Sequence, residues 1–567
     1  MSRISLLILL FFAGLLPFAA EFVVHHPDER HYTDAAIVML QGGDYLVPQH
    51  ADGSPRFEKP IVTYWVVAAS YALLGVNPLA SRLPFLLAGG AALWLTYRLA
   101  LLLFDRPHVA RLAALIWFCH PLLLLSSTRS MPDVLLCLFL LATAYGLLGV
   151  LLADRPPCWK LYLAAYGGAG LAAATKGLPV LALVLFSAAF ARFNPWRPRS
   201  LRVLWHIPSM LVGLVLAGGW FVLLGGERQA AVQVFWEDQV KQRLLPDYTR
   251  LPDQLAVALG VLVLTFLPWA LPLLPFGKAA PAPALNEKHR QARRFIVLWT
   301  LFMALLMSLT VKFSVRYQML VAPFLAILLA DALDRADPDR VRRWFQWILG
   351  GALSLLAVLL AGVAAVDAQL GVARLAVLPL AGAAVLIAVL GVVGLRSGGW
   401  AAAACLGLTL FLAGPLGLLT GRRLVPPDQG AQMAASLEEW GCLRQGPIAF
   451  LGGPGLASKV RVCSGGQVQL VQAPDGPPEP LRSHPIAILK REVADRLDRT
   501  GCVIVPLSEG YRDLPPRLLA AAIVRGALPE FLEEHREEYR LVIYTAPPDE
   551  PALTPLPSSP PSPPAAP

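Results

Sequence analysis

Residues 134–152 read VLLCLFLLATAYGLLGVLL, nineteen positions without a charge. Crossing roughly 30 Å of hydrocarbon takes about 20 apolar residues in helical form, so this run predicts a bilayer-spanning helix. Outward from it, comparable runs occupy 4–24, 61–76, 83–103, 109–127, 161–175, 178–193, 203–224, 254–275, 295–311, 318–333, 344–366, 374–395 and 399–419. The whole chain agrees: 56% hydrophobic and 15% charged residues, with a mean hydropathy of +0.57, exclude a soluble globular protein. A net charge of +10 would suggest nucleic acid as partner in a soluble chain. Here Lys and Arg fall mostly between apolar runs, where they fix topology, so no nucleic-acid partner is expected. The first run has the charged start (Arg3) and small residues (Ala19, Ala20) of a signal peptide. Its apolar stretch is too long for one, and an uncleaved anchor is expected.

Three basic loops orient the chain: Arg192 to Arg202, Lys278 to Arg294, and Arg335 to Arg343. All three can be cytoplasmic, because an even number of spans separates each from the next. Loop 225–253 and everything after Leu419 then lie outside. A cytoplasmic Arg3 requires one of the fourteen runs not to cross. The short run 61–76, followed by Asn77 and Pro78, is expected to share a single crossing with its successor, giving an α-helical polytopic membrane protein of about 13 transmembrane helices. Residues 25–60, 128–133, Lys176, 225–253 and 312–317 then gather on the outer face.

After Leu419 the composition turns ordinary, and the expected division is 1–425 membrane domain, 426–546 small α/β domain outside, and 547–567 disordered Pro-rich tail. Strands are predicted at Pro447–Leu451, Val468–Val471, Cys502–Val505 and Leu541–Tyr544, and helical spacing at 429–441 and 485–499. The seven cysteines include no metal-type CxxC pair. Disulfide formation among Cys442, Cys463 and Cys502 is left open.

The first outer loop and the residues after it read HHPDERHYTDAAIVMLQGGDYLVPQHADGSPRFEKPIVTYW, residues 25–65. Its charges are denser than those of any other outer loop. Asp28 and Glu29 follow the first span directly, at the membrane surface. Burial there would raise a carboxylate towards general-base range; alternatively, Asp28 caps a helix beginning near Arg30. The two roles can coexist.

These residues carry a resemblance. Asp28-Glu29-Arg30-His31-Tyr32, Gly43 to Pro48, Arg56-Phe57-Glu58-Lys59-Pro60 with Tyr64-Trp65, Ser81 to Pro84, Arg129 to Asp133, Thr175-Lys176-Gly177, Phe266 to Trp269 and Arg316-Tyr317 with Pro323 resemble, in order, the lipid A aminoarabinose transferases. These belong with the protein O-mannosyltransferases among the C-type glycosyltransferases. The resemblance covers about the first 335 residues. It implies a helical membrane fold with an outward active site and a polyprenyl-phosphate-linked sugar donor. It further implies lipid A or another envelope acceptor, membrane lipids as surroundings, and a bacterial inner-membrane location.

Carried over residue by residue, Asp28 is the base, while Glu29 hydrogen-bonds sugar hydroxyls or orients cations. Asp133 completes the acidic group, or else caps the span after Pro132. Lys59 and Arg56 contact the carrier phosphate, or else snorkel towards lipid headgroups. Arg129, Lys176, Lys312 and Arg316 are cations on the outer face, against the positive-inside trend, and anionic phosphate is their natural partner. Tyr317 bonds phosphate or anchors at the interface. Lys241 and Arg243 also belong to this face, with Glu237 and Asp238 as possible local pairs. The family is further associated with a metal ion held by the glutamate matching Glu58 and a later-loop histidine. Loop 225–253 has no histidine, and the spacing selects none of His25, His26, His31 and His50, so Glu58 stands as the one candidate ligand for a divalent metal, without a chosen histidine partner. A transporter or flippase is the rival class, but the internal repeats and mid-membrane charges it would show are absent from the sequence.

Overall fold

The computed structural model describes residues 3–21, 26–153, 156–177, 179–193, 200–241, 249–274, 287–308, 314–370, 378–396, 399–424, 428–472, 484–497, 501–511, 514 and 516–544. Lys312, Arg243, His25 and the tail 547–567 lie outside the described residues.

The apolar runs fold as helices: α1 (Arg3–Ala19), α3 (Val62–Leu74), α4 (Pro78–Phe104), α5 (Pro107–Phe118), α6 (Pro121–Ser127), α7 (Pro132–Leu151), α8 (Trp159–Lys176), α9 (Pro179–Phe193) and α10 (Ile207–Leu223). Six further apolar helices follow: Leu251–Ala270, Glu287–Ser308, Ala322–Arg335, Pro338–Leu370, Leu378–Arg396 and Gly399–Leu424. Among the described residues, five helices are long and apolar enough to cross a membrane, or seven if each of two bent pairs counts as one span. One bent pair is α5 and α6, turned by 64°, where Pro121 has no N–H to continue the α5 ladder. The predicted single run 109–127 is thus broken in the middle.

Helix α3 is only 13 residues long. Its start lies beside the first loop, where the Trp65 indole donates to the Tyr45 carbonyl at 2.6 Å. Its end turns at Val76, which packs near Gly466 of the C-terminal segment. Both ends therefore face the first loop and the C-terminal sheet, and α4 alone makes the following long passage. The first loop itself holds helix α2 (Arg30–Gly42), stopped by Gly43 in the left-handed conformation at φ +73°, where a side chain would be strained.

The C-terminal segment builds a five-stranded mixed sheet of order β2-β1-β3-β5-β4, from β1 (Ile448–Phe450), β2 (Leu470–Gln472), β3 (Ile486–Lys490), β4 (Cys502–Tyr511) and β5 (Arg536–Tyr544). Helices Gln429–Glu439 and Pro454–Cys463 pack on it. One expectation is corrected: 485–499 is not a helix, because Ile486 to Leu489 are all fully enclosed as the central strand β3, and only Arg491–Ala494 turns helical. A strand buried on both faces shows no alternation, so its apolar run mimics half a helix. Cys442, Cys463 and Cys502 form no disulfide among the described residues.

Candidate active site

The helix-capping readings of both aspartates fail. The residue preceding α2 is Glu29, whose side chain makes no capping bond. In the short turn Pro27–Glu29 the cap is His26, whose Nδ1 accepts from the Asp28 amide at 3.1 Å. Asp28 is released from that duty and stays half-exposed, with Oδ2 at 3.2 Å from Arg316 Nη2. Asp133, in the first turn of α7, is buried and also makes no cap. It receives Lys176 Nζ on Oδ1 at 2.5 Å and faces Arg316 Nη1 across 3.6 Å with Oδ2. Arg316, on the turn Val315–Leu320, therefore bridges the two aspartates. Lys176 sits in the last turn of α8 and lies 5.0 Å from the centroid of the Tyr317 ring.

Glu29 is placed differently. It has no exposed surface. Its oxygens accept from Arg82 Nε and Nη2 at 2.9 and 3.0 Å, from the Ser130 amide at 3.0 Å and from the His26 amide at 2.9 Å. Arg82 also donates to the Phe18 and Glu21 carbonyls, so one guanidinium ties the end of α1, the first loop and α4 together. A carboxylate so enclosed cannot reach a sugar hydroxyl; of its two expected roles, only the orienting of cations remains. Arg129 lies beside this knot with its Nε buried and unbonded. Burial, with Arg82 and Arg316 acting in the same sense and Glu29 opposing, pulls its guanidinium below the usual value. Around it, Arg82, Arg129, Lys176 and Arg316 stand against Glu29, Asp28 and Asp133, four cations to three carboxylates.

Lys59 and Arg56 lie on a second wall. Lys59 Nζ pairs with Asp238 Oδ2 at 3.0 Å, so Asp238, expected as a local partner of Lys241 and Arg243, also reaches the first loop. Lys241 itself is exposed. Arg56 is buried, donating from Nε to the Tyr64 hydroxyl at 3.0 Å and lying 3.3 Å from Glu58 Oε2. Neither is a headgroup-seeking surface side chain. Glu58 does not fit a metal ion: it is spent on Arg56, and among the described residues no three His, Cys, Asp or Glu side chains converge.

Sequence reasoning missed the contact between the first loop and the sheet. Asp34 of α2 receives Arg461 Nη2 at 2.7 Å and the Ser458 hydroxyl at 2.8 Å, while Gln41 donates to the Gly466 carbonyl at 2.7 Å. Beside these contacts a cleft of about 910 Å³ opens between Arg30, His31 and His50 on one wall and Ala457, Arg461 and Leu470 on the other. Burial, aided by Arg56 and Arg30, pushes the His31 imidazole down to about 3, so it is neutral at physiological pH.

The fold is that of a polytopic helical membrane protein carrying a C-terminal mixed sheet. Over 94% of the chain it superposes, with a TM-score of 0.65 and 19% identity, on 97% of the crystal structure of ArnT from Cupriavidus metallidurans bound to undecaprenyl phosphate. The apo form of that protein gives a TM-score of 0.64. Residues 58–221 match the family described as dolichyl-phosphate-mannose-protein mannosyltransferase. In sequence, the chain is 29% identical over 366 residues to the undecaprenyl phosphate-alpha-4-amino-4-deoxy-L-arabinose arabinosyl transferase of Pectobacterium carotovorum, covering 62% of this chain and 64% of that one. The protein of that name from Yersinia enterocolitica is 28% identical over 62% of each chain, and an uncharacterized protein of Aquifex aeolicus is 28% identical over 56% of this chain and 61% of its own. The chain thus spans somewhat under two thirds of these curated relatives. The protein is a multi-pass membrane protein with the fold of the Cupriavidus metallidurans ArnT structure.

Proposed function

We propose that this protein is an inverting glycosyltransferase that moves a sugar from a polyprenyl-phosphate carrier to lipid A or another envelope acceptor, on the periplasmic face of a bacterial inner membrane. The observation that carries the reading is the Arg316 bridge: one guanidinium spans Asp28 and Asp133 beside Lys176, with Arg129, whose buried Nε makes no hydrogen bond, close by. In the donor complex the carrier phosphate takes up this excess positive charge, with Tyr317 at its edge and Lys59 and Arg56 on the second wall. The phosphodiester gains charge as it leaves as a monoester, so fixed cations stabilise the transition state more than the ground state. The acceptor attacks the anomeric carbon from the Asp28 side, in line with the departing phosphate, which inverts that carbon. A hydroxyl acceptor gives its proton to Asp28; an anionic phosphate acceptor needs only steering. The cleft beside α2 supplies the acceptor's approach, since it opens next to Arg30 and His31, two and three residues beyond Asp28.

The same reading assigns residues 1–425, with about 13 crossings, to the transferase unit. Residues 426–546 become a periplasmic domain, and 547–567 a solvated tail. The test is mass spectrometry of lipid A and of envelope glycoproteins from cells with the wild-type chain, with Asp28→Asn, and with none. A mass increment of one sugar on lipid A, or on Ser and Thr of proteins, is expected in the first case only. A lipid-linked sugar pool that shifts between leaflets with no acceptor modified would instead identify a flippase and overturn the proposal.

A further inference from the structure

The opposite end of α1 holds a second site with different chemistry. Helix α1 is 17 residues long, about 25 Å, and its far end, away from the Arg82 knot, lines a 320 Å³ cavity between α1, α5 and the helix Gly399–Leu424. Arg3 and Arg111 both border this cavity, with a wall of Leu7, Leu112, Leu115 and Ala403. Neither guanidinium has a hydrogen-bond or ion-pair partner among the described residues, and no acidic residue lines the space. His108, which also borders it, is already engaged by Asp334 at 2.7 Å. Neither α1 nor α5 carries an acidic residue in its first turn, so the backbone N–H ends add positive potential rather than offsetting it. Two unneutralised cations at one apolar cavity repel each other and call for an anion.

From this geometry we infer that the cavity binds an anionic phospholipid of the leaflet opposite Asp28, its phosphate held by Arg3 and Arg111 and an acyl chain lying along Leu7, Leu115 and Ala403. The apolar wall selects a lipid over a free phosphate, because a soluble anion would leave that wall uncovered. The inference does not depend on the transferase reading, since the site lies a helix length from Asp28. Its occupancy fixes the end of α1 whose other end accepts from Arg82 through the Phe18 carbonyl.

The test reconstitutes the full chain in nanodiscs of phosphatidylethanolamine containing a minor fraction of phosphatidylglycerol, then transfers it to mild detergent and weighs retained lipid by native mass spectrometry. Phosphatidylglycerol should be enriched about tenfold over its bilayer share, as two juxtamembrane cations imply. The pair Arg3→Ala with Arg111→Ala should bring retention back to the bilayer ratio, and the pair Arg3→Lys with Arg111→Lys should keep most of the enrichment. If the alanine pair does not fold, Arg111→Gln alone should remove most of it. Excess glycerol phosphate should displace nothing; displacement would mean a soluble anion site and overturn the lipid assignment. Equal retention of the two lipids by the wild type, or enrichment unchanged in the neutral variants, would overturn the site itself.

Discussion

Asp28 and Glu29 are neighbours in sequence and opposites in environment. The Glu29 carboxylate is sealed from solvent and fully used by Arg82, the Ser130 amide and the His26 amide. Asp28 keeps about half its side-chain surface, 47%, and a single guanidinium at 3.2 Å. A closed, fully bonded carboxylate holds structure and has no bonding capacity left for a substrate. An open one beside surplus cations does. The contrast separates the architecture of the site from its chemistry within two consecutive residues.

The largest expected effect tests the closed member. Glu29→Gln leaves Arg82 buried without its counter-charge and should cost about 3–5 kcal/mol of stability, seen as a marked drop in thermal unfolding temperature in detergent. Unchanged melting would show that Glu29 is not the knot it looks to be. Asp28→Asn should do the reverse: turnover about a hundredfold lower, with melting and donor binding near wild type. If both variants lose stability but not turnover at matched folded amounts, the division of labour is wrong. Arg461→Ala removes a partner of Asp34 from outside the loop. It should raise hydrogen exchange across residues 26–42 and lower turnover about tenfold through misplacement of Asp28, while the sheet stays folded. Intact turnover with a loosened α2 would uncouple position from activity.

The smallest effect concerns pH. His31 is held neutral by burial and by Arg56 and Arg30, down to about 3. Its folded pKa lies below the unfolded value of about 6.5, so the unfolded chain binds the extra proton between the two. Stability should therefore fall as pH drops from about 6.5 towards 3, and His31→Gln should flatten part of that fall. An identical pH profile for the variant would remove His31 from the account.

The helical fold was legible because apolar runs near membrane thickness allow few alternatives. Four of five strands were visible as short β-rich runs, and β3 was not, since burial on both faces erased its alternation. At the site, Asp28, Asp133, Lys176 and Arg316 were singled out individually, but which charge meets which was not. Lys59 finds Asp238, and Glu29 finds Arg82, across long stretches of chain that no local spacing connects. Arg82 did leave a signal: an arginine near the start of a long apolar helix needs a counter-charge. Arg461 left none, because on its own helix it looks like an ordinary basic residue near a C-terminus.

The clamp between α2 and the helix Pro454–Cys463 sets an order of events during synthesis. Thr33 and Ser458, whose hydroxyls meet at 3.1 Å, are 425 residues apart. At roughly 5–20 residues per second, the ribosome delivers the second partner on the order of half a minute after the first. Until then the loop holding α2 emerges beside the growing bundle with Asp34 lacking Ser458 and Arg461, and α2 has no sheet to lean on. The segment that positions Asp28 is among the first made and among the last fixed. A chain released early would insert its spans yet leave the loop unset, so α2 reaches its final place only once the segment Pro454–Cys463 has been made.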